Sequence, residues 1–293
     1  MYLVRFLFHL CTLGNIGERM GSPQKRKHKK SLIADLVDPY ELYELSVQNV
    51  AEECSFVDYL FKELRGRKAH GLREDFCGTA SAACEWVRLG KSRFAFGVDL
   101  DPGALAWSRK HRVKALKKRQ RQRVSLLLGN VLSTDTPKVD ITCAFNFSYW
   151  VFQQRSELLR YFQVVHDNLN PDGIFFLDAF GGSEAGKEIR ESAEMDWFTY
   201  IWDQASYSPV TGQMKTHIHF AFPDGSRLDK AFSYEWRLWT LPEIRELLAE
   251  AGFSNSTVWF EFKDDDGAGL GEWYPDMRGQ ADPTWIANIT AEK

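Results

Sequence analysis

The stretch REDFCGTASAA, residues 73–83, decides the fold. Two acids, Glu74 and Asp75, end a short segment that predicts a strand, and a single glycine, Gly78, leads into small residues that predict a helix. A glycine at such a junction lets the backbone pass close to a ligand, and the first N–H groups of the helix face the same crevice. In an open α/β sheet, ligands bind beyond the carboxyl ends of the strands, so this stretch predicts a ligand-binding turn.

Strand and helix patterns alternate on both sides of this turn. Short apolar runs predict strands at 71–75, 94–99, 124–129, 139–145 and 174–179, and longer periodic segments predict helices at 79–90, 102–118 and 154–169. This alternation is typical of parallel strands that are joined by crossover helices. One predicted helix begins at Asp101-Pro102, an N-cap acid followed by proline, which agrees with the pattern.

The flanking segments complete the predicted fold. Residues 31–65 show the helical spacing of apolar positions, and residues 213–239 predict an antiparallel hairpin around a Pro-Asp-Gly turn. Residues 240–253 predict a helix, which precedes strands at 256–262 and 284–291. The predicted fold class is therefore α/β, with a Rossmann-like sheet of about seven mostly parallel strands, flanking helices, an N-terminal helical segment and an inserted antiparallel β-hairpin.

We expect a single domain over residues 31–293. Its predicted parts are a helical lid or flank (31–68), a ligand-binding core (69–180), a substrate-side insertion (181–239) and a C-terminal helix with its strands (240–293). Residues 1–30 are expected to be a disordered or non-native basic tail, and translation from Met20 is an equally plain alternative.

Composition and cysteine spacing exclude several classes of protein. The chain has 293 residues, of which 44% are hydrophobic and 26% charged, as expected for a globular protein with a large core. Its 5 cysteines are scattered without paired spacing, so neither a disulfide framework nor a metal site is predicted, and a reducing cytoplasm is the expected location. The apolar residues 1–13 are interrupted by Arg5 and His9 and are too short to span a bilayer, so no membrane anchor is expected.

Two basic segments stand out against the net charge of −3. Residues 25–30 carry five Lys or Arg and residues 109–123 carry nine, and neither segment contains an acid. Such segments could attract nucleic acid or another polyanion. The alternative is a solvated helix face and a disordered tail, which is favoured because no aromatic residue interrupts the second segment to stack bases.

The order of polar residues at the predicted strand ends indicates a nucleoside ligand. A dinucleotide would require the motif G-x-G-x-x-G to seat its pyrophosphate, whereas this turn has only Gly78. Asp99 ends the second strand, where a carboxylate can accept hydrogen bonds from both hydroxyls of a ribose. Asn130 ends the third strand with a side-chain amide that can meet an adenine edge.

This order of a glycine turn, a ribose acid, an asparagine and a fourth strand resembles the class I (Rossmann-like) S-adenosylmethionine-dependent methyltransferases. The resemblance covers residues 70–180 closely, and the AGF ending of the last predicted helix extends it towards the C-terminus. In that family the first motif is acid-x-Gly-x-Gly-x-Gly. Here Glu74 has the place of the acid and Gly78 that of the middle glycine, while Phe76 and Ala80 replace the outer two.

By this resemblance, one set of residues would hold S-adenosylmethionine and its product S-adenosylhomocysteine. The methionine part would lie at the glycine turn, the ribose at Asp99, the adenine at Asn130 and the sulfonium at Asn146. The full implied set is Arg73, Glu74, Cys77, Gly78, Thr79, Ala80, Asp99, Leu100, Asn130, Val131, Asn146 and Phe147, with Asp75 as an alternative to Arg73 beside the amino acid head.

The resemblance implies methyl transfer by in-line displacement, and a small-molecule acceptor is favoured. Its pocket is expected between residues 31–65 and the aromatic-rich insertion, whose aromatic side chains could equally form the core of the hairpin. The catalytic base is left open, and the candidates are Tyr149, His217, His219 and Tyr234. The alternatives are an RNA or protein methyltransferase that uses residues 109–123, and a non-catalytic protein that only binds S-adenosylmethionine.

Overall fold

A computed structural model describes residues 31–264 and 269–293. Its strands, in chain order, are β1 (Gly71–Asp75), β2 (Phe94–Asp99), β3 (Val124–Leu128), β4 (Val139–Ala144), β5 (Leu169–Gly181), β6 (Ile189–Glu194), β7 (Thr199–Tyr207), β8 (Gln213–Ala221), β9 (Arg227–Arg237), β10 (Asn255–Lys263), β11 (Gly269–Pro275) and β12 (Trp285–Glu292). One 8-stranded sheet has the order β11-β10-β12-β5-β4-β1-β2-β3, and β6 to β9 form a separate antiparallel sheet.

The large sheet is mostly parallel, as the sequence predicts. The strands β1 to β5 run parallel to one another, while β12 runs antiparallel to both β5 and β10. The strand β11 adds an eighth strand at the edge, which the sequence analysis missed because the glycines and proline of GLGEWYP weaken the strand signal. Since β1 lies between β2 and β4, the carboxyl ends of these three strands border a crevice.

The helices are α1 (Pro39–Val47), α2 (Val50–Arg65), α3 (Ser81–Trp86), α4 (Pro102–Ser108), α5 (Lys118–Arg121), α6 (Arg155–Asn168) and α7 (Leu241–Glu250). The helical prediction for residues 31–65 is confirmed by α1 and α2. The continuous helix predicted at 102–118 is wrong, because α4 is followed by a π-helical turn over Arg109–Val113. Lys110 and Lys114 stand one turn apart in a run without acids, and like-charged pairs at this spacing destabilise a regular helix.

Individual residues set the starts of two helices. Asp101 caps α4, because its carboxylate accepts the Gly103 N–H at 2.7 Å and Pro102 follows, as the sequence predicts. The helix after the glycine turn is predicted at 79–90, and the observed helix α3 is shorter. It begins only after Ala80, whose backbone is left-handed with a φ of 54°.

The insertion is larger than the sequence predicts. The expected hairpin is present as β8 and β9, but β6 and β7 extend it to a 4-stranded sheet. The polar residues IRESAE of β6 hide the period-2 pattern of a half-buried strand, which is why this strand was missed. Most aromatic side chains of the insertion belong to the core, among them the buried Tyr200, Trp202 and Phe220. Trp236 of the inserted sheet contacts the loop that follows β4 of the large sheet, since its ring packs on Phe147 with ring centroids 6.2 Å apart.

Arginines of the basic segment 109–123 are bound within the fold. Arg112 forms an ion pair with Glu44 of α1. Arg123 donates to the main-chain carbonyls of Val87 at 2.9 Å and Gly90 at 2.7 Å. These side chains therefore stabilise the fold and are not part of a free basic face.

The remaining predictions concern the N-terminal tail, a membrane span and a metal site. The predicted tail over residues 1–30, with the basic segment 25–30 and Cys11, lies outside the described residues. In the described ranges, every helix is too short or too polar to cross a membrane. Within the same ranges, no group of three or more His, Cys, Asp or Glu side chains is arranged to hold a metal ion.

Candidate functional site

The glycine turn connects β1 to α3 through three left-handed residues. Phe76, Gly78 and Ala80 have φ angles of 56°, 49° and 54°. Glycine adopts this conformation freely, whereas it costs roughly 1–2 kcal/mol at each of the other two positions. The turn therefore has, at all three glycine positions of the family motif, the backbone conformation that glycine favours, although two of the glycines are replaced.

Asp99 holds the glycine turn from the neighbouring strand. One of its carboxylate oxygens accepts the Gly78 N–H at 2.6 Å, and the other accepts the Asp101 N–H at 2.8 Å. Burial raises the pKa of this carboxyl above its usual value, and the two N–H groups counteract the effect. The acid that the resemblance assigns to the ribose thus also ties two loops together.

A cavity of about 250 Å³ lies beside the turn, and we call it the glycine-turn cavity. The ends of β1 and β2 provide one wall, α1 provides Tyr40 and Tyr43, and β9 of the inserted sheet provides Tyr234 and Trp236. Other residues in its wall include Glu53, Glu74, Asp75, Phe76, Cys77, Gly78, Thr79, Asp99, Asp101, Phe145, Asn146 and Phe232. The cavity lies where the topology of the sheet places a ligand, beyond the carboxyl ends of its central strands.

A second and larger cavity of about 530 Å³ adjoins the first, and we call it the acidic cavity. It is bounded by α2, by the loop after β4, by Asp178 of β5 and by residues of β10, β11 and β12. Three residues, Glu53, Phe145 and Asn146, line both cavities. The two cavities are therefore neighbours along these residues.

Three carboxyl groups lie near the junction of the cavities, where Glu74 and Asp178 are buried and Glu53 is half-buried. Burial raises the pKa of Glu53 to about 7, of Glu74 to about 8 and of Asp178 to about 7. The neighbouring charge of Asp178 raises the pKa of Glu53 further. Among the described residues, no Lys, Arg or His lines either cavity. The site as a whole therefore favours positively charged ligands.

Asp178 fixes the loop that carries the junction. Its carboxylate accepts the N–H groups of Asn146 at 2.8 Å and Phe147 at 2.9 Å. Both of these residues have left-handed backbones, with φ angles of 57°. The main-chain carbonyl of Asp178 accepts the Tyr149 hydroxyl at 2.7 Å, which adds a third connection to the same loop.

Half of the cofactor residues implied by the resemblance line the glycine-turn cavity. These are Glu74, Cys77, Gly78, Thr79, Asp99 and Asn146. The alternative residue Asp75 also lies in this wall, and Phe147 lines the acidic cavity. Ala80 ends the turn and is buried, and its N–H donates to the Cys77 carbonyl at 2.6 Å.

The structure does not bring the other implied residues to either cavity. Arg73 is buried and donates to the Asp75 carboxylate at 2.7 Å and to the Val131 carbonyl at 3.1 Å, so its guanidinium serves the core and not an amino acid head. Asn130 is exposed, and its side-chain oxygen accepts the Leu132 N–H of its own turn at 2.9 Å. Leu100 is 67% exposed and lines neither cavity.

Three of the four candidate bases lie away from both cavities. Tyr149 is fully buried with its hydroxyl on a main-chain carbonyl, and burial raises its pKa well above the usual value. His217 contacts Ser233 at 2.8 Å within the inserted sheet, and His219 lies between two aspartates of that sheet. Tyr234 does line the glycine-turn cavity, but burial raises its pKa well above the usual value, so its hydroxyl keeps its proton near neutral pH and does not act as a base.

Residues that the sequence analysis did not single out complete the site. They are Tyr40, Tyr43 and Glu53 from the N-terminal helices, Phe145 after β4, Asp178 in β5 and Trp273 in β11. The helical segment 31–65 was expected beside the acceptor pocket, and Glu53 could have been noted there as an acid on a half-buried helix. Asp178 gave a clearer signal, because it is an acid in the otherwise apolar run 174–180.

The raised pKa values predict that the protein without ligands loses stability as the pH rises. In the unfolded chain these carboxyls titrate near 4.5 for Glu and 3.8 for Asp. Between these values and the folded values of about 7 to 8, the folded state binds more protons than the unfolded state. The stabilising contribution is therefore complete at low pH and is lost as the pH rises through the folded pKa values.

Thermal unfolding from about pH 5 to pH 9 tests this sign. We expect the Tm to decrease across the range, and to decrease less steeply in Glu74→Gln, which keeps the shape of the side chain without its ionisation. Glu63→Gln, on the exposed side of α2, is the matched control and should keep the wild-type slope. A Glu74→Gln slope equal to that of the wild type would contradict the raised pKa of Glu74.

Comparisons with known proteins place the fold. No family model matches the chain, and no curated protein matches it in sequence. Solved structures do match: the CcbJ methyltransferase from Streptomyces caelestis has a TM-score of 0.62 at 16% identity, and the alignment covers 82% of this chain and 94% of that chain. The structure of CalS10 bound to SAM (S-adenosylmethionine), an amino pentose methyltransferase from Micromonospora echinaspora, has a TM-score of 0.61 at 16% identity. That alignment covers 91% of this chain and 100% of the CalS10 chain.

A third structure extends the comparison to almost the whole chain. The sugar N-methyltransferase KedS8 from Streptoalloteichus sp ATCC 53650 has a TM-score of 0.57 at 16% identity, and the alignment covers 94% of this chain and 99% of that chain. Likeness at this low identity shows the fold. The chain therefore has the class I, Rossmann-like methyltransferase fold, which confirms the fold class that the sequence predicts.

Proposed function

We propose that this protein is an S-adenosylmethionine-dependent methyltransferase that acts on a small molecule. The observation that carries the proposal is the junction of the two cavities. A methyl donor in the glycine-turn cavity and an acceptor in the acidic cavity would meet at Glu53, Phe145 and Asn146. The fold supports the same function, because the solved structures that share it include sugar and amino pentose methyltransferases.

The residues of the glycine-turn cavity suit this cofactor. S-adenosylmethionine carries a positive ammonium and a positive sulfonium, whose charges would favour the ionised forms of Glu53 and Glu74, whereas these acids would repel a pyrophosphate. Asp99 keeps lone pairs for ribose hydroxyls after it has accepted its backbone N–H groups.

The chain contributes positioning and a dry environment to the reaction. When bound, S-adenosylmethionine supplies an electrophilic methyl carbon, and the electron pair of the broken C–S bond stays on its sulfur. Asp178 holds the loop of Asn146 and so fixes the place where the acceptor lies. Tyr234 and Trp236 close the glycine-turn cavity from the inserted sheet and exclude water.

Isothermal titration calorimetry with S-adenosylmethionine, S-adenosylhomocysteine and NAD tests the proposal. We expect micromolar binding of the first two, which is about 8 kcal/mol, and no binding of NAD. The difference follows from the acidic wall and from the absence of the further glycines that seat a pyrophosphate. Tight binding of NAD with neither nucleoside bound would refute the proposal.

The alternative functions have less support. An RNA methyltransferase would use the basic segment 109–123, but Arg112 and Arg123 of that segment are bound within the fold, and both cavities are acidic. A protein that only binds S-adenosylmethionine has no use for a second cavity beside the first at Asn146. Salt-sensitive retention of RNA would favour the first alternative, and cofactor binding without any product would favour the second.

We also infer that the protein works in a reducing compartment such as the cytoplasm. The cysteines in the described ranges, Cys54, Cys77, Cys84 and Cys143, are free and buried. Burial raises the pKa of the Cys77 thiol well above its usual value, so it stays protonated at the turn. An oxidising environment offers such side chains no role, whereas a reducing one leaves them as packing residues.

A further inference from the structure

We propose that the acidic cavity binds the methyl acceptor as a cationic amine whose apolar or cyclic body lies against aromatic side chains. The inference rests on the proposed function, because it takes the acidic cavity as the place of the acceptor. Its starting point is the composition of the wall. Five lining residues are acids, namely Glu52, Glu53, Asp178, Glu261 and Glu272, and no Lys, Arg or His accompanies them in the described ranges.

A bound cation would stabilise the charged forms of Glu53 and Asp178 in this wall. Asp178 is buried and Glu53 is half-buried, and the charges that act on Glu53 are those of other carboxylates, Asp178 and Glu52. A positive ligand beside these groups would offset the loss of hydration that burial imposes on their charged forms. A carboxylate or phosphate ligand would instead add repulsion in a shielded site. The charge of the wall thus selects cationic acceptors and rejects anionic ones.

The aromatic side chains define the rest of the acceptor. Phe56 and Trp273 pack together in the wall with ring centroids 5.3 Å apart, and Phe145 lies at the junction with the glycine-turn cavity. Tyr59 and Phe262 are 61% and 46% exposed, so they form the solvent-facing part of the wall. Aromatic faces bind apolar surface and also attract an ammonium through cation–π interactions. The acceptor therefore combines a positive nitrogen with an apolar or ring-shaped body.

Glu53 is placed to take the proton that the amine must lose. An ammonium has no lone pair, so one N–H proton has to leave before the nitrogen can accept a methyl carbon. Glu53 lines both cavities at their junction. Its carboxylate would take the proton and become a neutral carboxyl, and the nitrogen would keep the electron pair of the N–H bond. With a pKa raised to about 7 by burial and by Asp178, the carboxyl can return this proton to water near neutral pH.

Matched pairs of small molecules test the proposal on the full chain saturated with S-adenosylhomocysteine. The probes are 2-phenylethylamine, tryptamine and glucosamine, each compared with the corresponding alcohol, namely 2-phenylethanol, tryptophol and glucose. Calorimetry should show at least one amine binding about tenfold more tightly than its alcohol, as expected for a charge-assisted contact. If every amine binds no more tightly than its alcohol, or if none binds at all, the proposal is overturned.

Side-chain variants assign the effect to the acidic cavity. Glu53→Gln keeps the shape of the side chain without its charge, and it should weaken the amine by about tenfold while the matched alcohol is unchanged. Glu63→Gln removes the same charge from the exposed side of α2 and should change neither. Glu272→Gln, at an exposed position of the acidic cavity that is outside the glycine-turn cavity, should weaken the amine about threefold. Unchanged amine affinity in both Glu53→Gln and Glu272→Gln would also overturn the proposal.

The same titrations distinguish a failure of the proposed function from a failure of the proposed acceptor class. Binding of S-adenosylhomocysteine is measured first in each variant, so that every amine titration is carried out at saturation for that variant. It is expected to stay within about threefold of the wild type in Glu63→Gln and Glu272→Gln, which lie outside the glycine-turn cavity. If the wild-type protein binds neither S-adenosylmethionine nor S-adenosylhomocysteine, the proposed function fails. If the nucleoside binds but the amines have no advantage over the alcohols, only the class of acceptor fails.

Discussion

Asp99→Ala is expected to weaken the binding of S-adenosylmethionine by about 30- to 1000-fold, which corresponds to roughly 2–4 kcal/mol. The carboxylate at the end of β2 lies in the wall of the glycine-turn cavity, where it would accept both ribose hydroxyls. Alanine offers no acceptor in their place. Calorimetry of the wild type and the variant with S-adenosylhomocysteine measures the loss directly, because this product binds without reacting.

The same substitution is expected to lower the free energy of unfolding by about 1–3 kcal/mol. This loss is expected because Asp99 accepts the N–H groups of Gly78 and Asp101, and alanine leaves both without that acceptor. Asp99→Asn keeps the shape and one acceptor, so it should fall between the wild type and the alanine variant in both measurements. Wild-type stability of Asp99→Ala in urea denaturation would show that these hydrogen bonds do not hold the turn.

A control for general loss of stability has to lie away from both cavities. Asp101, which caps α4, is unsuitable because it lines the glycine-turn cavity and accepts the Tyr40 hydroxyl at 2.8 Å. Thr240 is better matched, since it caps α7 by accepting the Glu243 N–H at 3.4 Å and lines neither cavity. Thr240→Ala should cost about 1 kcal/mol of stability and leave nucleoside affinity unchanged. An equal loss of affinity in Thr240→Ala and Asp99→Ala would mean that the effect of Asp99 is not local.

The sequence predicts the frame of the sheet where the signals are local. The strands predicted at 71–75 and 94–99 coincide with β1 and β2, and the helix predicted at 154–169 matches α6 to within one residue at each end. Each of these elements is marked by its own apolar spacing and by the residues that end it. The break after α4 and the polar strand β6 were missed because like-charge repulsion and tertiary packing override the local pattern there.

The site could be predicted only in part, because half of it is made by segments that are distant in sequence. Gly78 and Asp99 follow from one turn and one neighbouring strand, which the fold places side by side. The acidic cavity instead joins Glu53 of α2 to Trp273 of β11, and no local pattern reveals that contact. Arg73 is the opposite case, because it lies beside the motif in sequence while its guanidinium donates to the buried Asp75 carboxylate. Nearness in sequence is therefore a poor guide to which side chains reach a cavity.

Asp178→Ala is expected to cause a large loss of stability, about 2–4 kcal/mol, together with loss of methyl transfer. The carboxylate is the shared acceptor for the N–H groups of Asn146 and Phe147, so its removal leaves two buried donors without a partner. Both residues also have left-handed backbones, which persist only while the surroundings hold them. Since Asn146 lines both cavities, a change in this loop alters the place where donor and acceptor meet.

The amide variant and a neighbouring hydroxyl separate the role of the carboxylate from that of general packing. Asp178→Asn keeps one acceptor oxygen for the two N–H groups, and its NH2 group would face the other N–H. We therefore expect about half of the loss of stability that Asp178→Ala causes. Tyr149→Phe removes only the hydrogen bond to the main-chain carbonyl of Asp178 and should cost about 1 kcal/mol with little change in nucleoside affinity. Urea denaturation and calorimetry with S-adenosylhomocysteine measure both effects. If Asp178→Ala were as stable as Tyr149→Phe, the left-handed loop would be held by packing, and the position of the junction would not depend on this acid.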